Sequence, residues 1–360
     1  MSRKGALLRG LAAAAAAVAA LGVAAAPAAA EPNHGESSHG ESSHGHADEP
    51  IVIAHRGASG YLPEHTLEAY QLAVALGADV VEPDLVLTAD GELLARHEPM
   101  LSGTTDVAEH PEFADRKTTK TIDGQPVTDW FADDFTLAEL KTLRAEERIP
   151  ELRPQSAAWD GKFELVTYDE VLDYVDGLGR EVITYPEMKH PSYYKEQGLS
   201  IEDALADLLE ERELDEEDSP VWVQSFEYPS LVEIDERIDN PVGLNIGGSG
   251  EISDADLDLY AATLDTISLN KDRIVPRDED GYLLEPTDVV ERAHERGLEV
   301  HVWTFRNENS FLPADFRKGP KEAKWGHYRA EYELFFELGV DAVFSDYPDK
   351  AVAARYWSKF

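Results

Sequence analysis

Ionisable side chains suited to proton transfer occur where predicted strands of the chain end. His55 and Arg56 directly follow an apolar run over residues 51–54, so a parallel strand ending there would place an imidazole and a guanidinium at one sheet edge. His97 ends a later strand candidate in the same way. Two imidazoles at one edge can act as general acid and general base, because an imidazole exchanges its proton near neutral pH. A purely structural hydrogen-bonding role is the alternative for each.

Two carboxylates lie one residue apart in another predicted strand. Glu82 and Asp84 share a face, since side chains alternate across a strand. Burying two unpaired like charges costs several kcal/mol, and a bound cation would offset that cost. Ligands that are all oxygen favour Ca²⁺ or Mg²⁺ over zinc. The alternative is a solvated edge strand, which Pro83 favours.

Glu187 and Lys189 end the strand candidate at 181–185 and again share a face. Glu-x-Lys is also a common surface pair that contributes little to stability. The set of strand-end residues is more informative than any one of them. Three carboxylates can hold a cation, two imidazoles can transfer protons, and Arg56 with Lys189 can bind an anion. This combination is suited to cleavage of a phosphate ester.

The elements that must position these residues alternate between short β-branched runs and helical patterns, which predicts a parallel α/β sheet. The strand candidates cover residues 51–54, 80–87, 93–96, 181–185, 221–224, 242–246, 266–269, 299–303 and 341–345. The helix candidates cover residues 64–76, 168–175, 201–212, 286–296 and 327–338, with Pro286 in a first helical turn and Gly297 and Gly339 just past helix ends.

These candidates outnumber the eight strands of a closed barrel. The connection at residues 88–91 is too short for a parallel crossover, so the strands on either side of it should be antiparallel neighbours. We therefore expect an α/β fold of the irregular TIM (β/α)8 barrel type. Residues 98–162 break the rhythm and predict a loop insertion that walls the pocket at the carboxyl edge. A surface decoration is the alternative.

The composition excludes several classes of protein. The 360 residues carry 32 Lys and Arg against 72 Asp and Glu, a formal charge of −40, and nucleic acid needs a basic face instead. A hydrophobic content of 42% is enough for a full globular core. The absence of cysteine excludes disulfides, cysteine zinc sites and cysteine nucleophiles.

The N-terminal segments predict export. Residues 1–30 combine early basic residues with an Ala-rich run that closes on small residues, the pattern of a cleaved signal peptide. A membrane anchor is the alternative, but the run is short and dominated by Ala. Residues 31–49 form a His/Gly/Ser-rich linker, interpreted as a tether rather than a metal-collecting segment. We expect residues 50–360 to form the barrel domain of a secreted, extracellular or periplasmic protein without a stable membrane anchor.

The motifs are recognisable as a set. They are the His55 to Thr66 string HRGASGYLPEHT, Glu82-x-Asp84, Asp90-Gly91, His97-Glu98, Glu187-x-Lys189, Gln224-Ser225-Phe226, Trp303-Thr304-Phe305 and Ser345-Asp346-Tyr347-Pro348. From about residue 51 onward the chain closely resembles the glycerophosphodiester phosphodiesterase family, and in particular its secreted or periplasmic branch. The resemblance implies a phosphodiesterase barrel of the type shared with phosphatidylinositol phospholipases. It also implies a divalent cation, Ca²⁺ in this branch, with Mg²⁺ as the alternative.

Residue by residue, the resemblance assigns three roles. It makes Glu82, Asp84 and Glu187 the metal ligands, His55 and His97 the general acid and base, and Arg56 and Lys189 the phosphate contacts. Gln224, Phe226 and Trp303 are expected to line the substrate pocket. Glu64 is a further candidate for the site, although a helix N-terminus also favours an acid there. The implied substrate is a small glycerophosphodiester, cleaved to glycerol 3-phosphate and an alcohol by water or through a cyclic phosphate.

Three rival functions remain at this point. A related phosphodiesterase could act on phospholipid, sphingomyelin or a glycerol-phosphate polymer of the cell wall. A non-catalytic Ca²⁺-binding module would not need His55 or His97. A glycosidase built on paired carboxylates would have no use for Arg56 and Lys189. The residue set favours the glycerophosphodiester phosphodiesterase.

Overall fold

The computed structural model describes residues 49–358, in which strands and helices alternate along the chain. The signal peptide predicted at 1–30 and nearly all of the linker predicted at 31–49 lie outside the described residues. The strands are β1 (Ile51–His55), β2 (Val80–Glu82), β3 (Asp84–Leu87), β4 (Leu93–Ala95), β5 (Thr118–Ile122), β6 (Gln125–Asp129), β7 (Ile183–Thr184), β8 (Glu187–Met188), β9 (Val223–Ser225), β10 (Val242–Ile246), β11 (Thr266–Asn270), β12 (Glu299–Phe305) and β13 (Ala342–Ser345).

The α-helices differ widely in length, and most of them follow a strand of the main sheet. They are α1 (Leu67–Ala75), α2 (Leu137–Leu140), α3 (Tyr168–Asp176), α4 (Pro191–Glu196), α5 (Ile201–Glu211), α6 (Tyr228–Asp235), α7 (Asp254–Tyr260), α8 (Lys271–Ile274), α9 (Val289–His294), α10 (Tyr328–Glu337) and α11 (Pro348–Trp357).

The main sheet closes into a barrel through two strands that prolines interrupt. Pro83 separates β2 from β3 and Pro186 separates β7 from β8, because proline has no N–H for the ladder. Hydrogen bonds nevertheless continue across both breaks: Tyr185 N donates to Val81 O at 2.9 Å, and Glu187 N donates to Pro83 O at 2.9 Å. β2 and β3 together therefore act as one barrel strand, and β7 and β8 together act as another. With β1 and β9 to β13 they form an eight-membered parallel ring.

The expected irregularity is confirmed. β3 and β4 pair in antiparallel fashion, with Leu87 opposite Leu93, so β4 lies outside the parallel ring as the second arm of a hairpin. Inside the ring, Ile53, Val80, Tyr185 and Phe344 form a small apolar cluster. A larger core lies between the outer face of the strands and the helices. The molecule is thus an irregular TIM barrel of the α/β class.

Capping explains where the predicted helices begin. Thr66 caps α1, accepting a hydrogen bond from Ala69 N, so the helix starts three residues after the predicted start and leaves Glu64 outside it. The helices predicted at 168–175, 201–212 and 327–338 are observed with bounds shifted by one residue. The placement of Pro286 in a first turn was wrong, because α9 begins only at Val289. Short helices such as α8 were not predicted, since four residues give little periodic signal.

Residues 98–162 connect β4 to the region before α3 and contain the β5–β6 hairpin, α2 and several 3-10 turns. Their interpretation as an insertion stays a prediction. Within residues 49–358, no helix combines the length and the apolar character that a membrane crossing requires.

Candidate active site

A cavity of about 260 Å³ opens at the carboxyl ends of the barrel strands. Of the predicted catalytic, metal-ligating and substrate-binding residues, all except Asp84 and Lys189 line it directly, and those two contact residues in its wall. Glu64, the further candidate, does not line the cavity but contacts Arg56. The lining residues are His55, Arg56, Glu82, His97, Glu187, Gln224, Phe226, Asn245, Asn270, Lys271, Asp272, Arg277, Trp303, Thr304, Arg306, Phe311 and Phe344.

Glu82, Asp84 and Glu187 form the acidic centre of this cavity. Each offers a carboxylate oxygen within 4.8 Å of the others, and all three side chains are buried. They meet because β3 and β8 pair in register with Asp84 opposite Glu187, at the breaks that Pro83 and Pro186 introduce. The solvated edge strand considered as an alternative for Glu82 and Asp84 was wrong, since the broken strand has neighbours on both sides.

The electrostatics of this cluster fit a cation. Burial, reinforced by Asp84 and Glu187, raises the pKa of Glu82 well above its usual value. Burial likewise raises the pKa of Glu187 to about 7, although Lys189 acts in the opposite direction. A positive ion would remove this penalty, and the donor set consists of carboxylate oxygens that suit a hard divalent cation. The three residues could therefore hold such an ion.

Two buried cations flank the acidic centre. Arg56 places Nε 3.2 Å from Asp84 Oδ2, and its backbone N donates to Glu82 Oε2 at 2.8 Å. Lys189 Nζ lies 2.6 Å from Glu187 Oε1 and 3.7 Å from Asp84 Oδ1. Burial opposes the charge on Asp84, but Lys189 and Arg56 hold the pKa of that carboxyl well below its usual range. The site thus offers positive charge beside the carboxylates, as an anionic ligand requires.

His55 ends β1, and its imidazole faces the cavity from the barrel wall. Nδ1 lies 2.7 Å from Asp346 Oδ1, which leaves Nε2 as the ring nitrogen without a hydrogen-bond partner among residues 49–358. Asp346 Oδ2 accepts from Arg153 at 2.5 Å and from Arg306 at 2.8 Å. Burial and then Arg56 lower the pKa of His55 to about 4, against the opposing effect of Asp346.

His97 lies on the other side of the cavity, just past β4, and has the same arrangement. Its Nδ1 is 2.6 Å from Glu98 Oε1, and Glu98 is in turn bound by Arg148. Burial, then Arg56 and Lys189, lower the pKa of His97 to about 3. These shifts favour the neutral form of both rings, and each ring has a carboxylate at Nδ1.

The remaining predicted residues line the cavity wall. Gln224 Nε2 donates to Glu82 Oε1 at 3.3 Å and so touches the acidic centre. Phe226 and Trp303 pack edge to face with ring centroids 5.6 Å apart, and Lys189 Nζ lies 5.3 Å from the Phe226 ring centre. Phe226 remains 46% exposed, so this aromatic pair forms part of the open rim.

Comparison with known proteins decides the family. The model of the glycerophosphoryl diester phosphodiesterase family matches residues 55–350. The chain belongs to this family. It is 39% identical over 323 residues to a glycerophosphodiester phosphodiesterase of Arabidopsis thaliana, covering 83% of this chain and 84% of that relative.

Solved structures support the same fold for this glycerophosphoryl diester phosphodiesterase family member. A protein from Silicibacter pomeroyi superimposes with a TM-score of 0.63 at 20% identity, covering 87% of this chain and 96% of that one. A phosphodiesterase from Oleispira antarctica, solved with the product sn-glycerol-3-phosphate, gives 0.59 at 23% identity, covering 85% and 96%. The chain is an enzyme, a phosphoric diester hydrolase.

Several residues around the phosphodiesterase site were missed from sequence. Asp346 was part of a recognised motif but had no predicted role, yet it contacts His55. Its position one residue past the end of β13 could have indicated that it lies at the site. His65 Nε2 lies 2.8 Å from Asp84 Oδ2, and nothing in its spacing predicted this. Arg148 and Arg153 belong to the stretch of irregular structure between β4 and α3, where sequence patterns give no position in space.

Proposed function

We propose that this enzyme hydrolyses glycerophosphodiesters to glycerol 3-phosphate and an alcohol, with His55 and His97 as general acid and base. The observation that carries the proposal is the convergence of both imidazoles and the acidic centre on one cavity. Arg56 and Lys189 provide positive charge there for a phosphodiester. The names of the relatives and the product held by the Oleispira antarctica structure point to the same substrate class.

The cationic side chains would bind and orient the substrate. Arg56 is held by Asp84 on one side and by Glu64 on the other, where Nη1 lies 3.2 Å from both carboxylate oxygens. A guanidinium fixed in this way meets a phosphoryl oxygen without reorganising, which favours the charge that develops on phosphorus oxygens. Phe226 and Trp303 would pack against the carbon skeleton of the glycerol.

The imidazoles would move the protons. One takes a proton at Nε2 from the attacking hydroxyl or water, and the other donates a proton at Nε2 to the departing alkoxide oxygen. The lowered pKa values favour neutral rings before the substrate binds, so the acid has to gain a proton in the complex. The phosphodiester's negative charge favours that gain, because an opposite charge within a few ångström stabilises imidazolium.

Glu82, Asp84 and Glu187 would hold the divalent cation, for which we propose Ca²⁺. When bound, the ion supplies Lewis-acid stabilisation of charge on the phosphoryl oxygens. Gln224 would keep Glu82 oriented toward the ion through its amide. Three buried carboxylates without such an ion retain the repulsion that raises the pKa of Glu82.

The testing experiment is release of glycerol 3-phosphate from purified protein supplied with glycerophosphocholine, glycerophosphoethanolamine and glycerophosphoglycerol, with Ca²⁺ or with excess chelator. We expect turnover of all three at modestly different rates, and none with chelator. Intact phosphatidylcholine should be a poor substrate, because acyl chains would occupy the hydroxyl positions that a narrow glycerol pocket hydrogen-bonds, at a cost of about 1–3 kcal/mol per unpaired group. Comparable hydrolysis of phosphatidylcholine would contradict the substrate assignment and favour a phospholipase.

We also propose export, as in the secreted or periplasmic branch of the family. The support is the sequence of residues 1–30 alone. Expression of the full chain in a bacterial host should yield extracellular or periplasmic protein whose N-terminus lies near residue 31. Retention of the intact N-terminus in the cytoplasm would refute it.

A further inference from the structure

Two arginines of one short turn reach the two sides of the active site. The turn spans residues 148–153, and Ile149 O accepts backbone hydrogen bonds from Leu152 N at 2.9 Å and Arg153 N at 3.0 Å. It belongs to the segment between β4 and α3, far along the chain from both histidines. We call it the two-arginine turn, after Arg148 at its start and Arg153 at its end.

Arg153 supports the His55 side. Its Nη2 donates to Asp346 Oδ2 at 2.5 Å, and the other oxygen of Asp346 is the partner of His55 Nδ1. Arg153 Nε donates to Glu308 Oε1 at 2.7 Å and Nη1 donates to Ser59 O at 3.1 Å. The Arg153 side chain is only 6% exposed, so all three bonds form away from water.

Arg148 supports the His97 side. Its Nη1 and Nη2 each donate to one oxygen of Glu98 at 2.7 Å, and Glu98 Oε1 is the partner of His97 Nδ1. The same guanidinium donates from Nε and Nη2 to both oxygens of Glu64, at 2.9 and 2.6 Å. Glu64 in turn holds Arg56. One planar group thus spans two carboxylates that would otherwise repel each other.

The two supports have the same chemical order: imidazole Nδ1, carboxylate, arginine. A carboxylate bound by a guanidinium has a fixed plane and stays ionised. It therefore accepts a hydrogen bond from Nδ1–H, which selects that tautomer of the imidazole and fixes the orientation of the ring. Nε2 is then unprotonated in both rings, and both histidines line the cavity. Burial opposes the charges of Glu98 and Asp346, yet their arginine and histidine partners lower both pKa values.

We propose that Arg148 and Arg153 are positioning residues, and that the two-arginine turn sets the tautomer and orientation of both active-site imidazoles. Arg148 acts on His97 through Glu98, and Arg153 acts on His55 through Asp346. The segment between β4 and α3 is then part of the catalytic apparatus rather than a surface decoration. This inference rests on the proposed roles of His55 and His97.

The first experiment compares Arg148→Met and Arg153→Met with Arg144→Met as the matched control. Arg144 precedes the same turn, but among residues 49–358 its side chain bonds only backbone carbonyls and Glu164. We expect kcat to fall about 10- to 100-fold in the first two variants, since small misplacement of a reacting group costs about that much. The control should keep its turnover. Unchanged kcat in both test variants would overturn the proposal.

A structural role alone would not change the imidazole tautomer, so long-range proton–nitrogen NMR spectra provide the second readout. Nδ1–H signals of His97 should be lost or mixed with Nε2–H in Arg148→Met, and those of His55 in Arg153→Met. Arg148→Lys keeps the positive charge, but it should only partly preserve the Nδ1–H tautomer of His97 and kcat. The reason is that an ammonium group cannot bridge two carboxylates in a plane. Asp346→Asn covers the possibility that Arg153→Met fails to fold, and it should give the same loss at His55. Unaltered tautomers would contradict the mechanism.

Crossed double variants separate this inference from the proposed function. The kcat effect of Arg148→Met should vanish in a His97→Ala background but persist in His55→Ala, and Arg153→Met should behave in the opposite way. A residual KM effect of Arg148→Met is expected through Glu64 and Arg56. If Arg148→Met and Arg153→Met each lower kcat by the same factor in both histidine backgrounds, the positioning role is overturned, while catalysis by the histidines is not. Wild-type turnover of His55→Ala and His97→Ala would refute the proposed function itself.

Discussion

Two groups of buried carboxylates lie at the same sheet edge, and their surroundings are opposite. Glu82 and Glu187 belong to the acidic centre, where burial and neighbouring acids raise their pKa values. Glu64, Glu98 and Asp346 belong to the outer wall, where arginines lower them despite burial. The residue type is the same in both groups. Among residues 49–358, no Lys or Arg side chain pairs with Glu82 and only Lys189 pairs with Glu187, whereas arginines bind Glu64, Glu98 and Asp346. Asp84 is the exception within the acidic centre, because Lys189 and Arg56 lower its pKa.

The difference indicates what each group is for. A carboxylate that already has a guanidinium partner is electrostatically satisfied, so it can serve as a rigid hydrogen-bond acceptor for an imidazole. Burying Glu82 and Glu187 with few cationic partners costs free energy, and a bound divalent ion would offset that cost. In the proposals made above, the outer-wall carboxylates orient side chains and the carboxylates of the acidic centre hold a metal ion. Each of the following experiments tests that division.

Removing the metal should have the largest effect. Excess chelator should reduce turnover to background, and Glu82→Gln, Asp84→Asn or Glu187→Gln should lower both metal affinity and rate, because each removes a charge that offsets the ion. Calcium titrations of activity and binding measure both quantities. Glu236→Gln, an exposed acid after α6, is the control and should behave as wild type. Full activity in excess chelator would refute the metal-binding role.

Removing either imidazole should reduce kcat by about 10² to 10⁴, the range for positioned proton transfer. His55→Ala and His97→Ala should keep their fold, since each ring lies in the cavity wall rather than in the apolar core. His110→Ala, which pairs with Glu112 at the surface, is the control. Turnover and circular dichroism give the two measurements. A variant with near-normal turnover would exclude that histidine from proton transfer.

The pH profile of kcat/KM should shift toward acid. Burial and Arg56 lower the pKa of His55 to about 4, and burial with Arg56 and Lys189 lowers that of His97 to about 3. A lowered pKa keeps the neutral, proton-accepting form of the base populated at lower pH, so the acid limb of the profile falls through that lowered value. The midpoint of the acid limb of the kcat/KM profile should therefore lie below pH 6.5, the ordinary imidazole pKa. A midpoint at or above 6.5 would contradict this.

The free energy of unfolding should change less than the activity does. Substitutions in the acidic centre and in the outer wall should differ in how this change depends on calcium. Saturating Ca²⁺ should stabilise the wild-type protein by about 3 kcal/mol at 100 times Kd, and Glu82→Gln should lose that gain. Without calcium, Glu82→Gln should cost little stability, because burial and the neighbouring Asp84 and Glu187 already oppose the charge on Glu82. Glu64→Gln should be destabilising with or without calcium, since it breaks ion pairs with Arg56 and Arg148. Thermal unfolding of the wild type and of both variants, each with and without calcium, measures these effects. Equal responses of Glu82→Gln and Glu64→Gln would remove the distinction between the groups.

Much of this was predictable from sequence. The alternation of strand and helix predicted the barrel, and the short turn at 88–91 predicted the antiparallel β4. Strand ends predicted that Glu82, His55 and Glu187 would meet at one edge, as they do. The helix start predicted at Pro286 was wrong, because proline is tolerated in a first helical turn but does not by itself start a helix, and α9 begins at Val289. The partner of His55 was not predicted, since Asp346 lies 291 residues away along the chain.

The sequence by itself determined the properties that depend on neighbours along the chain. Alternation in a strand put Glu82 and Asp84 on one face, and Thr66 fixed the start of α1. Tertiary structure alone decided the properties that depend on distance in space. Closure of the ring across Pro83 and Pro186 brought Asp84 opposite Glu187, and folding of the two-arginine turn placed Arg153 against Asp346, 193 residues away. The charge state of a buried carboxylate depends on such distant partners, because the field around it is set by packing and not by chain order.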